Sequence, residues 1–153
     1  MKKKCQNIRQ TAIRLLAKRE YGRAELEQRL LRGDADSAEV NAVLNDLVAH
    51  NFLSDERFAE TIARRKQGKF SKRAIARQLK ERGVDQQTTE TALASLGNAS
   101  EEEEALALWR QRFGKLPEGE KEKNKQIRFL ASRGFSLSAI FKMLKEEKGR
   151  EEE

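Results

Sequence analysis

One pattern recurs three times along the chain and leaves few folds open. Tyr21-Gly22 is followed by Leu26 and Leu30, Phe70-Ser71 by Ile75 and Leu79, and Phe135-Ser136 by Ile140 and Leu144. Each is an aromatic and a small residue with aliphatics five and nine positions beyond the aromatic, and eight residues upstream stands Ile13, Ile62 or Ile127. Apolar residues four apart share one face of a helix, so each instance reads as helix, turn, helix. Leu44 and Leu47 follow Leu30 at the same distances at which Leu93 and Leu96 follow Leu79, which adds a third helix to the first two units. Repetition of a small unit explains how a chain with only 37% apolar residues and a mean hydropathy of −0.84 can fold. With one Pro, few β-branched runs and abundant Ala, Leu, Glu, Lys and Arg, the sequence predicts an all-α fold.

The expected organisation is three tandem, helix-turn-helix-like three-helix repeats over 1–53, 54–98 and 99–153, forming an elongated, curved molecule. In the first repeat, helices are expected near 8–19, 23–32 and 37–50, with Gly33 ending the second and Asp36 to Glu39 forming a capping box for the third. Ser54, Ser71 and Asp85 are the expected caps of the second repeat, and Gly83 ends its middle helix. Ser100 to Glu103 reads as a second capping box, opening a helix on which Leu106, Trp109 and Phe113 share a face. Pro117 and Gly119 mark a loop, so the third repeat uses 100–113, 122–133 and 136–147. The charged tail from Glu146 to Glu153 is expected to fray into solvent. Units of about 50 residues are marginal alone, so neighbours are expected to lean on one another.

Charge is the second organising feature. The net +7 and a pI near 9.7 favour an acidic partner, and the excess is not uniform. Residues 1–32 carry +7, 33–54 carry −4, 55–83 carry +6, 84–99 carry −2, and 100–153 balance at zero. Between Asp55 and Gly83 stand ten Lys or Arg and four acids. On the helix after Ser71, Arg73, Arg77 and Lys80 share a face roughly 150° from the Ile75/Leu79 stripe, where a polyanion could lie. The candidate binding residues are Arg64, Arg65, Lys66, Lys69, Lys72, Arg73, Arg77 and Lys80, with Arg19 and Arg23 from the first repeat. Six phosphates neutralised by such a surface would give a salt slope of roughly −4 on single strands. The bland alternative is solvated helix surface laced by pairs such as Glu25 and Arg29.

Few residues point to chemistry. Cys5 and His50, each the only one of its kind, can form neither an internal disulfide nor a metal site together, so Cys5 reads as an incidental thiol and His50 as a polar residue at a helix end. Trp109 and Phe113 could stack on bases but have the spacing of core, and Tyr21, Phe70 and Phe135 recur as packing under the turn. Glu101 to Glu104 point around a helix, where its first turn favours anions, and read as a solvated N-terminus. There is no P-loop motif, no expected cofactor or metal, and no apolar run near the roughly 20 residues that span a bilayer, so the reading is a cytoplasmic protein that is not an enzyme.

Specific segments then match a known family. Ala12-Ile13-Arg14-Leu15-Leu16-Ala17-Lys18-Arg19-Glu20 with Glu25-Leu26 and Arg29-Leu30, the junction Phe52-Leu53-Ser54-Asp55-Glu56-Arg57-Phe58-Ala59, and Lys125-Gln126-Ile127-Arg128-Phe129-Leu130 with Arg133-Gly134-Phe135 resemble the RecX regulators of the RecA recombinase. The likeness runs from Ala12 to Leu144, and its junction is the most specific part. Members of the family carry Gly-Tyr-Leu before the acidic pair where this chain has Asn51-Phe52-Leu53, a departure confined to the turn. The resemblance implies a non-catalytic protein of three three-helix repeats that lodges in the groove of RecA filaments on single-stranded DNA, and the chain is expected to be a monomer. There it would modulate filament growth or disassembly, and with it strand exchange and the SOS response. Two rival readings are an autonomous helical module that binds duplex DNA through the helix after Ser71, and a purely protein-binding helical scaffold.

Overall fold

The computed structural model describes residues 2–153, with side chains from Asn7 onward; the reading of Cys5 lies outside the described side chains. Among the described residues there are nine helices: α1 (Lys2–Lys18), α2 (Arg23–Leu30), α3 (Ser37–Ala49), α4 (Asp55–Lys66), α5 (Lys72–Glu81), α6 (Gln86–Ala94), α7 (Glu101–Arg112), α8 (Glu120–Ser132) and α9 (Leu137–Glu152). The fold is all-α, three tandem repeats of three helices. Contacts divide the chain into two compact bodies, Met1–Ile62 with Gln78–Ser95, and Ala63–Arg77 with Leu96–Glu153. The division cuts α4 after Ile62 and α5 after Arg77, so each body holds part of the second repeat.

In the first body α1, α2 and α3 pack on one another around Ile8, Ala12, Tyr21, Leu26, Leu30, Val40, Val43, Leu44, Leu47 and Leu53. The inward face of α1 runs through Ile8 and Ala12, with Leu15 and Leu16 beside it. Ile13 stands one residue, about 100°, off that face and is 39% exposed, whereas Ile62, its counterpart by register, is buried. Gly22 has no side chain with which to cap α2; the cap comes from Asp55, whose Oδ1 accepts the Arg23 N–H at 2.7 Å. The capping box expected at α3 does not form. Asp36 occupies the N-cap without a side-chain bond, and Glu39 Oε2 is buried with no partner among the described residues.

Elsewhere the short polar residues cap as their chemistry dictates. Arg57 N–H donates to Ser54 Oγ, Ala74 N–H to Ser71 Oγ, Thr88 N–H to Asp85 Oδ1, Glu103 N–H to Ser100 Oγ and Ala139 N–H to Ser136 Oγ, all between 2.7 and 3.2 Å. The bond from Thr88 holds the Asp85 carboxyl below its ordinary pKa, because an N–H donor favours the charged form. Ser100→Ala should therefore cost about 1 kcal/mol of stability while Asp36→Ala costs no more than a few tenths. Urea denaturation of the two variants checks this, and equal losses would contradict the capping assignment.

The second body has its core in the third repeat, where α7, α8 and α9 bury Ala105, Leu108, Trp109, Leu130, Phe135, Ile140, Met143 and Leu144, with Phe113 and Phe129 packed alongside. Trp109 Nε1–H donates to Gln126 Oε1 at 2.7 Å, and Gln126 Nε2 donates to the Lys115 carbonyl at 3.0 Å, so the buried amide is bonded at both ends. The tail does not fray at Glu146: α9 continues to Glu152, and Glu147 accepts from both Arg110 and Arg150. Tyr21 and Phe135 are buried as expected, but Phe70 is only half-buried and has cations against its ring.

Candidate nucleic-acid interface

The ten candidate cations fall into two chemical groups. In the first body, Arg19 closes the turn between α1 and α2: its Nη1 donates to Glu25 Oε1 at 2.8 Å and to the Glu20 carbonyl at 3.0 Å, and its guanidinium lies 3.6 Å from the centroid of Tyr21. Arg23 reaches α3, donating from Nη2 to Asn45 Oδ1 at 2.7 Å and, more weakly, to Asn41 Oδ1 at 3.4 Å. In the second body, Lys72 donates to the Gly97 carbonyl at 2.8 Å and stands 3.4 Å from Glu104, and Arg73 donates to Glu101 Oε1 at 2.8 Å. These four are tied to their own chain.

The other group faces water. Arg64 and Arg65 end α4, Lys69 lies in the turn that follows, and Arg77 lies in α5; all four are exposed. Lys66, half-buried, places its ammonium 5.1 Å from the Phe70 centroid. In the first body, Lys80 is exposed near the end of α5. The side chains of Arg65, Lys69, Arg77 and Lys80 make no hydrogen bond, ion pair or ring contact among the described residues. An exposed cation with no intramolecular partner can meet a phosphate without first breaking a bond, so these four are the most available charges of the set.

The acidic first turn of α7 is not simply solvated. Glu101 Oε1 accepts from Arg73 and also from the Ser136 N–H at 2.8 Å, Glu104 faces Lys72, and Glu102 lies 3.9 Å from Lys142. Burial raises the Glu104 pKa above the ordinary carboxylate value, against the opposing pull of Lys72. The expected pair of Glu25 with Arg29 is replaced by Glu25 with Arg19. The partners of the α7 acids are distant in sequence, and Arg19 and Glu25 lie on either side of a turn, so helical spacing reveals neither.

Arg57 explains why the junction sequence is so particular. Its Nε donates to Glu20 at 3.0 Å, while Nη1 and Nη2 donate at 2.9 Å to the side chain and carbonyl of Asn51. Asn51 sits in the left-handed region at φ 63°, one of the few residue types that tolerate it. Leu53, Phe58 and Ala59 are buried, and Asp55 caps α2, so the segment 51–59 acts as a lock within the first body.

Comparison with known proteins follows the same order of elements. Models of the first, second and third three-helix domains of RecX match residues 9–47, 54–93 and 100–144. A regulatory protein RecX from Chromobacterium violaceum is 40% identical over 138 residues, covering 90% of this chain and 89% of its own. The chain belongs to the RecX family. A RecX regulatory protein from Leptothrix cholodnii is 37% identical over 139 residues, with 91% of this chain and 88% of that one covered. The crystal structure of RecX from Lactobacillus salivarius superposes with a TM-score of 0.75 at 20% identity, over 95% of this chain and 97% of that one. A second RecX crystal structure gives 0.73 at 18% identity, over 94% and 73%. At those identities the two RecX structures speak for the fold alone.

The remaining candidates take bland roles. His50 Nδ1 lies 2.8 Å from the Asp46 carbonyl at the end of α3, a helix-end polar residue. Trp109 is 1% exposed and belongs to the core of the third RecX repeat, while Phe113 is half-buried beside that core and packs edge-on to Phe129 with centroids 5.5 Å apart. No group of His, Cys, Asp and Glu suited to a metal ion occurs among the described residues, and none of their helices is long and apolar enough to cross a membrane.

Proposed function

We propose that the protein is a non-catalytic regulator of the RecA recombinase, binding RecA filaments on single-stranded DNA and altering their growth or disassembly, and through them recombinational repair and the SOS response. The observation that carries this reading is the match of all three RecX domains, in order, along residues 9–144. Within it the functional domains are 1–53, 54–98 and 99–153, and the protein acts as a cytoplasmic monomer. In the second body Arg65, Lys69 and Arg77 meet the DNA backbone first, supported by Arg64 and Lys66; in the first body Lys80 does so. Arg19 and Arg23 in the first body, and Lys72 and Arg73 in the second, hold turns and helix ends in place.

This assignment of contacts has a direct test. Changing Arg65, Lys69 and Arg77 together to Ala should weaken binding to preformed RecA filaments about tenfold or more and reduce the magnitude of the salt slope by about 2 on single strands. Helicity should stay at the parental value, since none of the three side chains is buried. Fluorescence anisotropy across a salt series reads both quantities. Parental affinity and slope in a folded variant would remove these residues from the interface.

A further inference from the structure

The zero net charge of residues 100–153 conceals two kinds of partner for the cations of the second body. Some cations meet acids: Arg73 meets Glu101, Lys142 meets Glu102, Lys72 meets Glu104, and Arg110 and Arg150 meet Glu147. Elsewhere in the same body, cations meet aromatic rings instead of carboxylates. Lys66 Nζ lies 5.1 Å from the Phe70 centroid, the Arg133 guanidinium 4.8 Å from Phe70 and 5.2 Å from Phe129, and the Arg112 guanidinium 5.4 Å from Phe129 and 5.7 Å from Phe113. The contacts therefore run Lys66, Phe70, Arg133, Phe129, Arg112, Phe113, each cation lying against a ring, and at the far end Phe113 and Phe129 also meet edge-on at 5.5 Å. Neither Arg112 nor Arg133 has an ion pair with an acid among the described residues. Phe70, Phe129 and Phe113 are all only half-buried, so ring edges as well as cations reach water.

We propose that this alternating row, centred on Arg133 and Arg112, is a single-strand-binding element of the third repeat, each cation taking a backbone phosphate and the ring edges and guanidinium planes taking bases. A ring contact attracts a cation without neutralising it, so the guanidinium is held in place while its charge and N–H donors remain available. A carboxylate partner would instead cancel the charge that a phosphate needs. The alternation also matches the ligand: a single strand presents phosphates along its backbone and planar faces between them, and such proteins combine cations with aromatic platforms. An acidic peptide offers carboxylates without regularly placed planar groups and leaves the rings unexplained. Glu118 and Glu122 line the same hollow as Arg112 and Phe113, along with Lys115 and Lys125, so that end of the row is of mixed charge and Arg133 carries the larger share.

The inference rests on the proposed engagement of DNA-bearing filaments, but it is tested without RecA. The full chain is titrated against fluorescent oligo-dT over a salt series, alongside Arg112→Gln/Arg133→Gln and Arg112→Lys/Arg133→Lys double variants. The Gln pair should bind about tenfold more weakly or worse, with a salt slope smaller in magnitude by about 1.4. The Lys pair keeps the charge and loses the planar fork, so it should keep the parental slope and lose part of the affinity. Parental affinity and slope in the Gln pair would overturn the row as a DNA element, as would competition by oligoglutamate equal to that by unlabelled oligo-dT. RecA-dependent ATP hydrolysis measured with the parent separates the two proposals: modulation by the parent together with parental DNA binding by the Gln pair rejects the row and leaves the filament reading intact.

Discussion

Replacing Trp109 by Ala should lower stability by about 3–5 kcal/mol, enough to unfold the third repeat at moderate urea. The side chain is 1% exposed and sits among Leu108, Leu130, Phe135 and Ile140, so its removal leaves a cavity that rigid helices cannot close. A second penalty arises from Gln126, itself 1% exposed, whose Oε1 would lose its indole donor; an unsatisfied buried polar atom costs about 1–3 kcal/mol. Trp109→Phe separates the terms in large part, since it keeps an aromatic ring and most of the apolar volume while losing the N–H. Urea denaturation followed by circular dichroism should rank parent, Phe and Ala in that order, and a parental midpoint for the Ala variant would contradict the core assignment.

Gly134→Ala should cost about 2–4 kcal/mol, an unusual penalty for one methyl group. Two effects combine. Gly134 has φ 92°, where an L side chain is disfavoured, and a Cβ there would lie 2.5 Å from both Ala74 Cβ and Ser71 Oγ. Ser71 cannot retreat freely, because its hydroxyl donates to the Gly134 carbonyl at 2.8 Å and accepts the Ala74 N–H at 3.1 Å, and its own N–H donates to the Arg133 carbonyl at 2.9 Å. Gly33→Ala is the control: φ is 126° but nothing lies within 4 Å of the new Cβ, so only the backbone term remains. Thermal denaturation should place Gly134→Ala well below Gly33→Ala, and equal midpoints would show that the close approach carries no energy.

The register of Tyr21, Phe70 and Phe135 was enough to read the all-α class, the three repeats and most helix ends, because aliphatic spacing and the caps at Ser54, Ser71, Asp85 and Ser100 are local signals. What escaped was tertiary. Asp36 has the right spacing to Glu39 for a capping box, yet Asp36 makes no side-chain cap bond and Glu39 Oε2 has no partner among the described residues. Glu101 to Glu104 looked solvated because their partners Lys72 and Arg73 are some thirty residues away. Ile13 kept the repeat's register while Ala12 took the buried place in α1. The basic segment 55–83 was visible as a count of charges, but not which cations the chain itself engages: Arg57, Lys72 and Arg73 have acids, whereas Arg65, Lys69 and Arg77 do not. Arg112 and Arg133 were hidden by the neutral sum of the last repeat, and their only local trace is an Arg beside or near a Phe, in Arg112-Phe113 and Arg133-Gly134-Phe135.

The regulatory reading is tested most directly by RecA-catalysed ATP hydrolysis on single-stranded DNA, with the protein added at substoichiometric amounts after filaments have formed. A progressive change in rate that requires RecA, and that is blunted by the combined loss of Arg65, Lys69 and Arg77, is the predicted result, and its sign distinguishes disassembly from stabilisation. An unchanged rate at concentrations where the protein binds bare DNA tightly would contradict it and leave a DNA-binding module that shares the RecX fold.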